Sequence, residues 1–388
     1  MLSGVHRNTR QEQIVYGRPA LDALLDTAEA FGGRRLLITT TPSLSRPGGL
    51  AATLAAGLCA RCIGLFDGIG AHSPREGVIA GAERARALQA DLLVAVGGGS
   101  VIDATKVMQL CLWAGLTRTG DLDAYRAGPG PDRADLSKLV PTIRMIAVPT
   151  TLSAAEFTPF AGVTDRARNA KEGYGHPLLA PRAVILDPAA TLGTPPLLWF
   201  STGIKAVDHA VEQLCHPIRA PFADALAADG LRRLARGLPA TREDPEDLEA
   251  RLECQFGMWL AISGIGSGRG MGASHAIGHT LGGSYQVPHG VTSCVVLPAV
   301  LAWNQPVDVE RQRLVCELVG GSAASAAEAV RNLCRSLGLP TDLAAAGVRP
   351  DQFRAIAEHT MHDRGVKSNA RPILGPEDIV EILVLAQG

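Results

Sequence analysis

No strong charge of either sign runs through this chain: 37 Lys and Arg face 38 Asp and Glu, and the formal net charge over 388 residues is −1. No basic stretch resembles a nucleic-acid footprint, and the strong uniform field that DNA or an anionic membrane would require is missing. The opening MLSGVHRNTRQEQIVYG lacks the apolar core of a signal peptide. No run of about 18 apolar residues without charge is apparent, so no membrane span is expected. These absences predict a cytoplasmic protein with neither a nucleic-acid nor a membrane partner. Of 8 cysteines only Cys59 and Cys62 form a CxxC, and the second pair of a zinc knuckle is absent. The two read as ordinary buried thiols on a helix, kept reduced in the cytosol.

Apolar residues make up 46% of the chain, which suits a globular protein, and the length is too great for one ordinary core. Short β-branched runs at 34–40, 61–68, 91–100, 143–151 and 182–188 alternate with amphipathic stretches such as 74–90. Continuous apolar strands separated by helices predict a parallel sheet covered on both faces. After Asp187 and Pro188 helical patterns take over, for example at 225–240 and 247–266. The expected organisation is an α/β domain over 1–188 and an all-α domain over 189–388, with a ligand cleft between them. The segment 115–138, rich in Gly, Pro and charge, reads as a surface excursion.

VAVGGGSVIDATK, at 94–106, is a strand, a triple-glycine turn and a helix start. Gly97, Gly98 and Gly99 allow the backbone to approach an anion without a Cβ clash. The unpaired amides from Ser100 onward would face that anion with the helix dipole behind them, which suits a pyrophosphate. The pattern is neither GxGxxG nor a P-loop, and a plain tight turn remains the alternative. Asp103, in the first helical turn, is either a dipole-complementing carboxylate or an acceptor for a nicotinamide carboxamide. Thr150, Thr151 and Ser153 place hydroxyls at the end of the next strand, where ligands bind in open α/β sheets.

These segments, with STGIKAVDHAVE, HAIGHTLGGSYQVPHG and the tail SNARPILGPEDIVEIL, fall in the order found in the iron-containing (group III) alcohol dehydrogenases. The chain resembles that family along its whole length, and the maleylacetate reductase branch most. The resemblance implies a Rossmann-like N-terminal domain and a helical C-terminal domain, as in the dehydroquinate synthase-like fold. It further implies a homodimer and hydride transfer between NAD(H) or NADP(H) and a small-molecule carbonyl substrate. It assigns the phosphate turn to residues 97–100 and nicotinamide contacts to Asp103, Thr150 and Thr151. Thr41 stands where NAD-selective relatives carry an acid for the adenine ribose. No carboxylate repels a 2′-phosphate there, so both nucleotides are expected to bind.

Metal-dependent relatives supply an Asp and, four residues later, a His from one helix, then two further histidines. On this chain the histidine positions are His209, His275 and His289. The aspartate position is Lys205, and His279 matches a histidine near the nicotinamide. Lys205 and His209 share a helical face, as do His275 and His279. An ammonium in place of an anionic ligand costs several kcal/mol even at an effective dielectric of about 20, which argues against a tightly held divalent metal. Were a metal present, His209, His275 and His289 would hold it. Asp208, about 100° round the helix from His209, is not expected to replace the missing acid.

The metal-free use of the cluster has Lys205 holding the substrate oxygen as charge develops and donating a proton, with His279 or a neighbour relaying to solvent. An imine on Lys205, a non-redox lyase on the same scaffold, and a metal-dependent alcohol dehydrogenase are the competing readings. Glu156 and Phe157 match a Ser-Glu segment of the family whose serine is Ala155 here. His72, His216 and His362 read as surface or structural residues. Arg168, Lys171 and Arg364 are candidates to meet a substrate carboxylate.

Overall fold

The computed structural model describes residues 5–388 except Pro129, Pro131, Asn169, Gln286 and Gly321, and it leaves the side chain of His289 undescribed. The chain forms two compact units, one of Thr9–Gly193 and one of Thr194–Gly388 with Met1–Asn8.

The first unit is α/β. Its strands are β1 (Gln13–Tyr16), β2 (Leu36–Thr39), β3 (Cys62–Phe66), β4 (Leu92–Gly97), β5 (Arg144–Pro149), β6 (Phe160–Asp165), β7 (Ala170–Gly175) and β8 (Ala183–Leu186). Six of them form a sheet in the order β1-β8-β5-β4-β2-β3, and every pair in it is parallel. The inner strands are apolar throughout because both faces are covered. Leu36, Ile38, Val94, Val96, Ile146, Val148 and Ile185 share one core with Leu24 and Leu54 of the flanking helices.

All five runs expected as strands are strands, and three more lay outside the sequence expectation. β1 is a half-buried edge strand of four residues. β6 and β7 form an antiparallel hairpin whose second strand, AKEGYG, carries too little β-branched character to read as one. The 115–138 excursion contains 3-10 turns at Thr119–Tyr125 and Leu136–Lys138. It is fastened by Arg75, which is 3% exposed and pairs with Asp123, Asp165 and Glu172. Arg168 joins this network, 2.7 Å from Asp123 and 3.3 Å from Glu172. Its guanidinium is thereby occupied by protein carboxylates, which corrects its candidacy as a substrate clamp.

The CxxC needs a second correction. Cys59 is exposed in a 3-10 turn and Cys62 opens β3, so the pair does not lie on a helix.

The second unit is helical and contains no strand among the described residues. Pro196–Leu214, Pro221–Glu243, Leu248–Ser263, Ala273–Ser284, His289–Asn304, Val309–Val319, Ala326–Ser336, Phe353–Thr360 and Pro376–Leu385 are its α-helices. Ile277, Val291, Val295, Trp303, Phe353, Ile356 and Ile382 lie in its main core. Against expectation, Gly290–Val307 is long and apolar enough to cross a membrane. It is also 78% buried, which makes it part of the core of this unit.

Candidate functional site

Each unit brings together one set of the expected residues. In the α/β unit the set lies at the C-terminal ends of β4 and β5. β4 is fully buried and ends at Gly97, whose φ of +152° turns the chain. Gly98 caps the helix Gly99–Ala114, and the first intrahelical bonds run from the Val101 and Ile102 N–H groups to the Gly98 carbonyl. The N–H groups of Gly99 and Ser100 precede those bonds and supply the helix terminus with its donors. Thr150 N–H donates to the Gly97 carbonyl at 3.1 Å. A Cβ on Gly98 would lie 2.9 Å from Thr151 Cγ2, and one on Gly99 2.9 Å from Ser153 Oγ. The glycines therefore let β5's hydroxyl-bearing end close onto the turn.

Ser100 accepts the His72 N–H at 3.1 Å, and its carbonyl accepts the Ser73 hydroxyl at 2.7 Å. His72 and Ser73 both have positive φ, at 60° and 53°. His72 is thus a neighbour of the glycine turn, a placement its isolated position in the sequence did not reveal. Asp103 accepts the Gly162 N–H at 2.9 Å and stands 3.6 Å from Lys106 Nζ, tying the β6–β7 hairpin to the helix. Thr41 follows β2, the strand beside β4, and its hydroxyl lies 3.0 Å from Ser43 Oγ at the start of Pro42–Ser45.

Beneath the turn, Lys106 is fully buried and donates to the carbonyls of Ala155 and Phe160, at 2.6 Å each. Glu156 is buried beside it with neither carboxyl oxygen hydrogen-bonded. Burial pushes its pKa up to about 7, against the pull of its own nearby backbone N–H and of the Lys106 charge.

In the helical unit the set centres on Pro196–Leu214. Lys205, Asp208, His209 and Glu212 fall at helical spacings of three and four, so they form one stripe. Asp208, His209 and Glu212 are buried and Lys205 is half-buried. His209 stacks on His275 of the Ala273–Ser284 helix, with ring centroids 4.9 Å apart and an angle of 22°. His279, one turn further on, lies edge-on to His275 at 6.2 Å, and its Nδ1 is 2.8 Å from Asp363. Lys205, His209, His275 and His279 thus belong to one cluster. His289 begins the helix His289–Asn304 after Pro288, and its side chain lies outside the described residues.

Two members of this cluster were not foreseen. Asp208 accepts the hydroxyls of Ser274 at 2.8 Å and Ser293 at 2.7 Å, and its Oδ2 is 3.5 Å from His275 Nδ1. Glu212 Oε2 lies 2.7 Å from the same nitrogen. Asp208 therefore joins the site through His275 Nδ1, a contact that the expectation about its angle to His209 did not address. The spacing puts 205, 208, 209 and 212 on one ridge, but only their burial shows that the two carboxylates belong to the site.

Burial, with neighbouring charges, keeps the His209 and His275 imidazoles neutral. Burial lowers His209 well below the ordinary histidine range, helped by the neighbouring His275, Lys205 and His279. His275 is lowered to about 3 by burial, with Asp208 opposing and Lys205 assisting. Burial raises Asp208 to about 6 and Glu212 to about 7, each moderated by hydrogen bonds and by the Lys205 charge. His209 Nδ1 and His275 Nε2 are buried and have no hydrogen-bond partner among the described residues.

Neutral imidazoles with open nitrogens are half of a divalent metal site, and an anionic ligand is the other half. Here Lys205 occupies the position one turn before His209, and the two carboxylates are bonded on the Nδ1 side of His275. Among the described residues, no carboxylate is bonded to the open Nε2. A different set, Asp208, Glu212 and His275, has ligand atoms within 4.8 Å of one another. Asp208 Oδ2 already accepts from Ser274 and Ser293, and Glu212 Oε2 from the Gly272 N–H, while Asp208 Oδ1 is buried with no hydrogen-bond partner among the described residues.

Comparison with known proteins follows the same division of the chain. The family description "Iron-containing alcohol dehydrogenase" matches residues 11–188, and "Fe-containing alcohol dehydrogenase family, C-terminal" matches 199–386. The dehydrogenase FUM7 of Gibberella moniliformis is 33% identical, over 96% of this chain and 95% of its own length. A maleylacetate reductase of Delftia acidovorans is 31% identical, over 93% and 92%. The crystal structure of maleylacetate reductase from Agrobacterium tumefaciens superposes with a TM-score of 0.83 at 29% identity, covering 100% of this chain and 99% of that one.

Proposed function

The chain belongs to the iron-containing alcohol dehydrogenase family and is an NAD(P)-dependent oxidoreductase, and from that premise we propose that it reduces a carbonyl or enone of a small organic acid or aldehyde without a divalent metal. Maleylacetate-like substrates are the first to test, given the relatives that carry that name. The observation that carries the reading is Lys205, on one buried stripe with His209 and the two carboxylates that bond His275. An ammonium there supplies the positive charge that a metal would otherwise bring to a developing alkoxide. It also repels a cation: at 4 Å and an effective dielectric of 20, each unit-charge contact is worth about 4 kcal/mol.

A bound NADH or NADPH supplies the hydride. The turn at 97–100 offers glycine backbone and helix-terminal N–H groups to the pyrophosphate, with Thr150, Thr151 and Ser153 beside it. As hydride reaches the carbonyl carbon, the oxygen becomes an alkoxide and takes a proton from Lys205 Nζ, leaving a neutral amine. His279 is half-exposed and bonded to Asp363, which suits it to pass a proton inward from solvent.

A second reading keeps the redox chemistry and places a divalent ion among Asp208, Glu212 and His275, whose ligand atoms converge. Metal analysis of purified protein, paired with NADH and NADPH oxidation over a carbonyl panel, separates the two. Turnover in metal-free protein supports the first reading. Stoichiometric metal whose removal abolishes turnover refutes it.

A further inference from the structure

We propose that Glu212 is a positioning residue that fixes His275 as its Nδ1–H tautomer and leaves Nε2 as a bare acceptor beside His209. The tautomer assignment stands on geometry; its catalytic consequence rests on the reductase reading above.

Glu212 reaches from one helix to the start of another. Its Oε1 accepts the Ser274 N–H at 2.8 Å, and its Oε2 accepts the Gly272 N–H at 2.7 Å while lying 2.7 Å from His275 Nδ1. Gly272 caps the Ala273–Ser284 helix, so the carboxylate sits on that helix's positive end. A Cβ on Gly272 would lie 3.0 Å from Glu212 Oε1, so the approach depends on glycine there. With both oxygens engaged by backbone donors, the carboxylate meets Nδ1 as an acceptor, and the proton on that contact belongs to the imidazole. Asp208 Oδ2, 3.5 Å from the same nitrogen, adds a second negative group on that side. A flipped ring would set a C–H against both carboxylates, so the orientation is fixed as well as the tautomer. Nε2 is left buried, with no hydrogen-bond partner among the described residues.

The consequence is a division of labour. A neutral imidazole with a bare Nε2 accepts hydrogen bonds and donates none there. His275 can therefore hold an N–H or O–H of Lys205 or of the alcohol product, while the proton for the alkoxide comes from Lys205.

The test uses the full chain labelled with 15N-histidine at pH 8 and long-range proton–nitrogen correlation spectra, alongside steady-state NAD(P)H oxidation. The wild-type spectrum is expected to contain a neutral histidine protonated on Nδ1 that responds to substitution at 212. In Glu212→Gln the neutral amide no longer presents a negative acceptor to Nδ1, so the bias toward Nδ1–H weakens and the Nε2–H form of His275 becomes populated. kcat is then expected to fall 10- to 100-fold, the range for lost outer-shell partners of a working histidine, with nucleotide Kd unchanged. Glu212→Asp keeps the charge and is expected to retain the Nδ1–H form and recover part of the rate. It also provides the assignment should the glutamine variant not fold. A wild-type His275 protonated on Nε2 overturns the proposal, as does a glutamine variant with unaltered tautomer and kcat. An Nδ1–H His275 in a protein that oxidises neither nucleotide supports the positioning and overturns the reductase reading.

Discussion

Replacing Glu156 with glutamine is expected to stabilise the protein by an amount that grows as pH rises above 4.5 and reaches its full value at neutral pH and above. The carboxyl is fully buried with neither oxygen bonded, and burial lifts its pKa from 4.5 to about 7. A raised carboxyl pKa means that the folded state keeps its proton after the unfolded chain has released it. Stability is then full below pH 4.5 and declines as pH rises through about 7. At 1.36 kcal/mol per pH unit the loss is ~3 kcal/mol above pH 7. Glutamine cannot titrate, so the variant avoids that loss at pH 8 and gains no more than ~1 kcal/mol near pH 4.5. For a unit the size of Thr9–Gly193, ~3 kcal/mol corresponds to roughly 6–12 °C in Tm. Differential scanning calorimetry at the two pH values reads the difference directly. The reasoning is refuted if the variant is less stable at pH 8. That result would mean that Glu156 is carried as an anion against Lys106, and that removing it strands a buried ammonium.

Three further outcomes are expected. Lys205→Ala should lower kcat by 10²- to 10³-fold, the effect of losing one donor to a developing oxyanion, with nucleotide affinity unchanged in fluorescence titration; unchanged turnover removes Lys205 from the reaction. Gly98→Ala, whose Cβ would lie 2.9 Å from Thr151 Cγ2, should weaken NADH and NADPH binding at least ~10-fold while circular dichroism stays the same. Arg75→Ala should cost ~1–3 kcal/mol of stability in denaturant titration, because it removes the buried cation shared by Asp123, Asp165 and Glu172 and loosens the 115–138 excursion, while Arg126 and Arg168 remain on Glu172.

What the sequence disclosed followed from how local each signal is. β4, the three glycines and the helix behind them form one uninterrupted stretch in which apolar run, turn and cap coincide, and the structure places them as the pattern implies. The β6–β7 hairpin escaped because its strands pair with each other outside the main sheet, so AKEGYG never needed a buried, β-branched face. His209 and His275 were legible through the resemblance to the iron-containing alcohol dehydrogenases, whose motif positions they occupy, and the spacing added only which residues share a helical face. Glu212 and Asp208 could not be told from solvated helix charges until the fold buried them against Ser274, Ser293 and His275. Cys59 and Cys62 misled for the opposite reason: a spacing typical of one helical face straddles a 3-10 turn and the first residue of a strand.

Within the ridge formed by Lys205, Asp208, His209 and Glu212, only Lys205 keeps an outlet to solvent. Substitution at the other three opens a cavity or orphans a buried partner, whereas exchange at 205 alters the local charge and leaves the packing behind it intact. On the reading proposed above, the electrophile is a replaceable fitting on a rigid mount, and a lineage could trade ion-assisted for ion-free chemistry there without passing through an unfolded ancestor.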